Sequence, residues 1–132
     1  MIRLSHEPMS DAFDKWHVGG LPVPAVFHRF TAPDLGDPHD HPWSFRSIIL
    51  FGGYIEQCFA PDGSSVDIER RVGDSFHIDA NHVHRITNLP YGQCWTLILP
   101  EPSPSKISGF YRWENGQRFH RFWNERNWRV IE

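Results

Sequence analysis

The sequence has few cysteines and no long apolar segment, and both features narrow the class of protein. Cys58 and Cys94 are the two cysteines among 132 residues, and without a secretion signal they are expected to be reduced thiols. No run approaches the roughly eighteen apolar residues of a membrane-spanning helix. The first sixteen residues lack the apolar core of a secretory signal peptide. We therefore expect a soluble, cytoplasmic protein with no membrane partner.

The sequence also lacks an excess of positive charge. The 13 lysines and arginines are outnumbered by 16 aspartates and glutamates, giving a formal net charge of -3, which argues against a nucleic-acid partner. It contains no Gly-x-Ser-x-Gly elbow, no glycine-rich phosphate loop followed by lysine and no Cys-x-x-Cys pair. A small molecule is therefore the expected partner.

Aromatic residues, glycines and prolines are plentiful. The chain has six Trp, ten Phe and three Tyr, together with ten Gly and eleven Pro, a balance typical of many short strands joined by tight turns. The length suits one domain. We predict an all-β sandwich or closed barrel over about residues 24–124, preceded by an arm or edge strand in residues 1–23. The predicted strands are residues 25–31, 44–51, 54–59, 66–72, 74–78, 83–89, 94–99, 107–113 and 118–123.

Three histidines lie in two short segments that carry most of the chemical information. His39 and His41 are two residues apart, so an extended strand would place both imidazoles on one face. His84 follows in the segment GDSFHIDANHVHRITN. Neutral imidazoles bind Zn, Fe, Ni and Cu, and three that converge in a barrel leave coordination positions open for water or substrate. These three histidines are the candidate metal ligands.

The spacing of the second segment resembles the second motif of the cupin superfamily. Gly73, His84 and Asn88 have the motif's separation, whereas Asp79 and Asn81 stand where the motif prefers proline and glycine. Two motifs that agree in order are more specific than either alone.

The first segment resembles the first cupin motif, in which a His-x-His pair is followed by a glutamate and then a glycine. Gly53 stands in the register of that glycine, but Arg46 occupies the position of the glutamate. The pattern is therefore similar to that of three-histidine cupins such as the thiol dioxygenases. The resemblance implies one double-stranded β-helix (jelly-roll) domain over residues 1–132 that holds a divalent metal, with Fe(II) favoured over Zn or Ni. A homodimer is one expected assembly.

Five residues are candidates for binding an anionic small-molecule substrate. The guanidinium of Arg46 matches carboxylate or phosphate oxygens, and Arg29 precedes the metal loop. The alternative for Arg46 is an outward-facing or ion-paired residue, because a register error of one residue would move it to the other face. Trp43, Tyr54 and Trp95 could form the apolar wall of a cavity.

Three further residues are expected next to the metal ligands. Asp40 lies between two of them and should point away from the metal, where it could orient a ligand or a loop. His82 shares the face of His84 in an extended segment, so it is a fourth ligand, a proton shuttle, or a residue behind the ligands or at the surface. His77 either lines the barrel or is a buried, hydrogen-bonded structural imidazole.

Three classes of function remain open. The first is an Fe(II)-dependent dioxygenase acting on a small anionic substrate. The second is a metal-dependent isomerase, lyase or hydrolase in which the ion acts as a Lewis acid. The third is a non-catalytic cupin that binds a small ligand. One fold serves many reactions, so the fold alone does not choose among them.

Overall fold

The computed structural model describes residues 1–102 and 105–131, and the described chain is built of antiparallel β-strands. No helix in these residues is long and apolar enough to cross a membrane. The twelve strands are β1 (Arg3–Ser10), β2 (Phe13–Gly19), β3 (Ala25–Phe30), β4 (Phe45–Phe51), β5 (Gly53–Phe59), β6 (Ser65–Arg71), β7 (Ser75–Ile78), β8 (Val83–Asn88), β9 (Cys94–Pro100), β10 (Gly109–Glu114), β11 (Gln117–Phe122) and β12 (Arg129–Ile131). The all-β prediction is confirmed.

One layer of the molecule is a six-stranded sheet in the order β1-β2-β3-β9-β4-β7. Side chains alternate between its faces, so that in β4 Phe45, Ser47 and Ile49 are buried whereas Arg46 is exposed. Buried residues of this sheet and of the layer that faces it form two apolar clusters. One contains Ile49, Tyr54, Ile86, Leu89 and Cys94, and the other contains Val26, Phe45, Ile78 and Ile98.

The opposite layer consists of two three-stranded sheets, β6-β5-β8 and β10-β11-β12. The segment around His39 lies between them, because His39 forms one β-bridge with His84 of β8 and another with Phe110 of β10. This insertion joins the two small sheets into one layer facing the six-stranded sheet. It also fixes the backbone of the His-x-His pair between two strands.

Two turns follow directly from the local sequence. Gly63 has φ +89° and its N–H bonds to the carbonyl of Ala60, closing the turn predicted at Pro61-Asp62-Gly63. At the second turn Asn115 and Gly116 both have positive φ, 51° and 77°, a conformation that Asn-Gly pairs adopt readily in hairpins. These turns set the register of the β5–β6 and β10–β11 hairpins.

Three strands lie outside the nine predicted ones. β1 and β2 form a hairpin in the region predicted as an arm or edge strand, and β2 extends the six-stranded sheet by pairing with β3. β12 pairs with β11 beyond residue 124. The N-terminal segment therefore extends the six-stranded sheet and adds side chains to it, including Lys15 on β2.

Candidate functional site

The three predicted metal ligands converge in the structure. His39 and His41 lie between β3 and β4, and His84 lies on β8. Two backbone hydrogen bonds of 3.0 Å join His39 and His84 in both directions, and the N–H of His41 bonds to the carbonyl of Ala80 at 3.0 Å. The ring centroids are 4.8 to 5.4 Å apart, and one ligand atom from each ring lies within 4.8 Å of the others.

Hydrogen bonds orient two of the three imidazoles. The Nδ1 of His39 lies 3.2 Å from the carbonyl of Asp40, and the Nδ1 of His84 lies 3.0 Å from Oε1 of Glu56. Because each Nδ1 faces an acceptor, each carries the proton, and Nε2 remains for a metal. The Nε2 of His41 is buried without a hydrogen-bond partner in the described residues. The donor set therefore fits a divalent ion.

Burial favours the neutral, metal-binding form of the first histidine pair. Burial and the neighbouring His84 lower the pKa of His39. Burial, together with His84, His39 and His82, lowers the pKa of His41 well below its usual value. Imidazoles must be neutral to bind a metal, so both side chains are already in the form that could hold an ion.

Glu56, which the sequence did not single out, lies directly behind the triad. Its side chain is fully buried. Its Oε1 accepts hydrogen bonds from His82, His84 and the thiol of Cys58 at 2.9 to 3.0 Å, and its Oε2 accepts one from Arg70 at 2.9 Å. Burial opposes ionisation, but the bonds from His82 and His84 outweigh it and lower the pKa of Glu56. Glu56 is an ionised carboxylate that fixes His84.

Glu56, Cys58 and His82 also bring three ligand atoms within 4.8 Å. Hydrogen bonding accounts for these short distances, because the donors all bond to one oxygen of the Glu56 carboxylate. Burial and Glu56 raise the pKa of Cys58, so the thiol keeps its proton and acts as a donor. We assign this cluster to the positioning of His84. His82 consequently directs its Nε2 to Glu56 rather than to the triad, although its ring is stacked 6.4 Å from that of His41.

The carboxylate of Asp40 is hydrogen-bonded to Lys106 and to two residues of β10. The residue is buried, and its carboxylate accepts hydrogen bonds from Lys106 Nζ, Gly109 N and Tyr111 Oη at 2.8 to 2.9 Å. These bonds connect the His-x-His segment to the approach to β10. Asp40 therefore fixes the backbone that carries His39 and His41.

The triad opens into a cavity of about 630 Å³ between the two layers. Two of the predicted substrate-contacting residues, Trp43 and Tyr54, line it. The other lining residues from the two layers include His28, Phe30, Phe45, Ser47, Ile78, Ile86, Thr96, Ile98 and Phe110. A volume of this size suits a small organic ligand.

The prediction that Arg46 lines the cavity is corrected by the structure. Arg46 is exposed between the buried residues Phe45 and Ser47, and its guanidinium donates to the hydroxyl of Ser75 at 3.2 Å. Because side chains alternate along β4 and Phe45 and Ser47 face the interior, Arg46 lies on the opposite face.

Arg29, Trp95 and His77 also lie on the outer face. Arg29 pairs with Asp14 at 2.8 Å and stacks against the rings of Trp16 and Trp95 at 5.3 and 5.5 Å. The Nδ1 of His77 lies 2.9 Å from Glu101, but the residue is exposed, so it neither lines the barrel nor is a buried structural imidazole. None of the three lines the described cavity.

Sequence reasoning also missed three residues of the cavity wall. Asp34 lies at the mouth, with its Oδ2 3.8 Å from Nε2 of His39. Lys15 and His28 extend the wall from β2 and β3. The acidic loop before His39 could have indicated Asp34 as a residue of the site. Lys15 and His28 became recognisable as cavity residues only when the pairing of β2 with β3 was known.

Solved structures share this fold. The hydroxypropylphosphonic acid epoxidase from S. wedmorenis superimposes with a TM-score of 0.60 over 74% of this chain at 9% identity. A cupin 2 conserved barrel domain protein from Rhodopseudomonas palustris gives 0.57 over 80% at 8% identity. Drosophila melanogaster CENP-C bound to CAL1 gives 0.58 over 74% at 17% identity.

These likenesses identify the fold alone, because all three identities are low. The chain spans 55% of the epoxidase, 74% of the cupin 2 protein and 81% of the CENP-C chain. No family model matches the chain. No curated protein matches it. The protein therefore has the cupin barrel fold, and its function has to be argued from its own site.

Proposed function

We propose that the protein is a metal-dependent cupin enzyme that binds one divalent ion through His39, His41 and His84 and oxidises a small anionic substrate with O2. The observation that carries the proposal is the convergence of three histidines on a cavity, with the Nε2 of His41 buried and unpartnered among the described residues. Fe(II) is the favoured ion. The fold is compatible with iron, since the epoxidase of the same fold has an Fe(II) form.

Three protein ligands suit a catalytic rather than a purely structural metal, because structural sites usually complete their coordination with protein groups. When bound by His39, His41 and His84, Fe(II) would supply the redox chemistry needed for a substrate to react with O2. The protein's own residues perform the remaining tasks. Glu56 holds His84 in one tautomer, and Asp40 holds the backbone of the His-x-His segment.

Part of the cavity wall is apolar. Phe45, Ile86 and Ile98 are buried residues that line it, and a low-polarity wall strengthens electrostatic interactions at the ligands. Asp34 is more than half exposed, with 55% of its side chain accessible. Its carboxylate at the mouth is placed to accept a proton from a substrate group that approaches His39.

The test is O2 consumption by the Fe(II)-loaded protein. The protein is reconstituted anaerobically, its bound iron is quantified, and small thiol-carboxylates and β-diketones are offered in air-saturated buffer. We expect O2 uptake in proportion to product, and we expect His84→Ala to abolish it. Arg46→Ala is the matched control, since this outward residue should leave uptake unchanged.

Two outcomes would contradict the proposal. A protein with iron demonstrably bound and no O2 uptake over the whole panel would not be an oxygenase. Conversion of a substrate without O2, by the Zn- or Ni-loaded protein, would instead assign the ion to Lewis-acid chemistry.

A further inference from the structure

The cavity face of the six-stranded sheet carries a row of polar side chains opposite the histidine triad. Lys15 of β2 pairs in register with His28 of β3, and His28 pairs with Thr96 of β9. All three residues line the same cavity as the triad. Directly paired residues on one face of antiparallel strands have neighbouring side chains, so the three form one contiguous polar strip.

The two inner members of this strip have unsatisfied polar atoms. The Nε2 of His28 and the Oγ1 of Thr96 are buried and have no hydrogen-bond partner in the described residues. Thr96 is only 1% exposed. Buried polar groups are nearly always paired in native proteins, so two unpaired groups side by side on a cavity wall indicate a ligand that pairs with them.

Lys15 supplies the charge. It is the one lysine or arginine among the described residues that line the cavity. Within residues 1–102 and 105–131 its ammonium makes no hydrogen bond or ion pair. It lies 5.6 Å from the centre of the Phe13 ring and is attracted by Glu7, its cross-strand neighbour on β1. Burial lowers the pKa of Lys15, and the attraction of Glu7 only partly opposes this shift, in keeping with an ammonium that has lost part of its hydration. An anion in the cavity would compensate for that loss.

We propose that Lys15, His28 and Thr96 form a carboxylate-binding subsite that anchors the acidic end of a small ligand while its other end faces His39, His41 and His84. This subsite takes the anion-binding role that the sequence suggested for Arg46 and Arg29, which lie outside the cavity. That the anchored ligand is the substrate rests on the proposed function, whereas carboxylate binding itself does not.

The charge of the strip favours a carboxylate over a phosphate. Lys15 provides one positive charge, and Thr96 provides a neutral hydroxyl. Burial lowers the pKa of His28 to about 3, so the imidazole is neutral and contributes a hydrogen bond rather than a second charge. A dianionic phosphate is usually bound by several cationic or backbone donors, which the described part of this strip does not contain.

The experiment is an NMR titration of the Zn-loaded protein with butyrate, its uncharged analogue butyramide, and propylphosphonate. We expect butyrate to bind at least about tenfold more tightly than butyramide, because only the carboxylate interacts with the ammonium. Equal binding of the two would overturn the proposal. Binding of propylphosphonate about tenfold more tightly than butyrate would overturn the choice of carboxylate.

Substitutions locate the subsite. Lys15→Met should weaken butyrate binding about tenfold and leave butyramide unchanged, whereas Arg46→Met removes the same charge from the outer face and should have no effect. If the two variants bind butyrate equally, the subsite is not at Lys15. Thr96→Val keeps the shape of the side chain, so it should weaken butyrate binding without lowering the melting temperature. Unchanged binding would remove Thr96 from the subsite and contradict the assignment.

The same titration separates this proposal from the proposed function. His84→Ala should lose the metal but retain butyrate binding, since the strip lies on the opposite layer. Butyrate binding without O2 chemistry would leave the subsite intact and contradict the oxygenase alone. Loss of butyrate binding in both His84→Ala and the metal-free native protein would show that the carboxylate binds the metal instead, and would overturn the subsite.

Discussion

The two faces of the six-stranded sheet differ in function although their residues alternate along the same strands. On the inner face His28, Thr96 and Ser47 line the cavity. Their immediate neighbours Arg29, Trp95 and Arg46 lie on the outer face, where the first two stack together and the third bonds to Ser75. A shift of one residue along the strand thus separates a cavity-lining side chain from a surface side chain.

Two glutamate–histidine pairs differ in the same way, one being buried inside the molecule and the other lying on its outer face. Glu56 is fully buried and contacts His84 behind the triad, whereas Glu101 is partly exposed and contacts the exposed His77 on the outer face. The local chemistry is alike, but only the buried pair is shielded from water. Burial, rather than the identity of the pair, determines how much each contributes to stability and function.

The largest expected effect comes from Glu56→Gln. Removing the charge leaves Arg70 without its buried partner and weakens three converging hydrogen bonds, so we expect a loss of about 3–5 kcal/mol in the free energy of unfolding. Metal affinity should fall about 10- to 100-fold. Chemical denaturation and metal titration measure the two effects.

Glu101→Gln is the matched control for that substitution, because it also removes a carboxylate charge beside a histidine. We expect a change of at most about 1 kcal/mol, as is usual for solvent-exposed pairs, and unaltered metal affinity. Equal losses in the two variants would show that Glu56 does not position His84.

A smaller effect is expected from the buried His28. Burial lowers its pKa to about 3, from the ordinary value of 6.5. The unfolded chain therefore takes up the proton first as the pH falls, so the stabilising contribution is complete above about pH 6.5 and is lost towards pH 3. His28→Phe should reduce the loss of stability between pH 7 and 4.5 by roughly 1–3 kcal/mol.

Denaturation of the metal-free protein at a series of pH values tests this expectation without interference from metal release. Between pH 7 and 8 the His28→Phe variant and the native protein should show parallel profiles, because His28 does not titrate there. An identical slope below pH 6 would mean that His28 takes up its proton as readily in the folded protein as in the unfolded chain.

The smallest effect is expected from Arg46→Ala. The side chain is exposed and makes one hydrogen bond, so the free energy of unfolding should stay within about 0.5 kcal/mol of the native value. Metal affinity measured by competition with a chelating dye should also be unchanged. A tenfold or larger change in metal affinity would show that Arg46 faces the cavity after all.

Much of the fold could be predicted from the sequence because local signals determine it. The turn at Pro61-Asp62-Gly63 and the alternation in β4 carry the strand pattern, and all nine predicted strands correspond to observed ones. The hairpin of β1 and β2 was not predicted, since β1 is exposed throughout and β2 is at most half-buried, which leaves no fully buried face to recognise. Their place depends on pairing with β3, a tertiary contact.

The convergence of the triad could be anticipated from spacing, but the position of Glu56 behind it could not. Cys58 pairs with His84 across β5 and β8, and this register brings Glu56 to the back of His84. No local sequence signal fixes that long-range register. The error at Arg46 is of a different kind. Its position in the motif was taken to show where the side chain points, whereas β4 places it on the outer face.

The central claim is that His39, His41 and His84 bind one divalent ion while Glu56, Cys58 and His82 position the third ligand. The most direct measurement is the metal stoichiometry of the protein purified without chelators, compared with His84→Ala and Cys58→Ser. We predict one ion per chain in the native protein, one in Cys58→Ser and none in His84→Ala. Full occupancy in His84→Ala, or two ions per native chain with one lost in Cys58→Ser, would contradict the account.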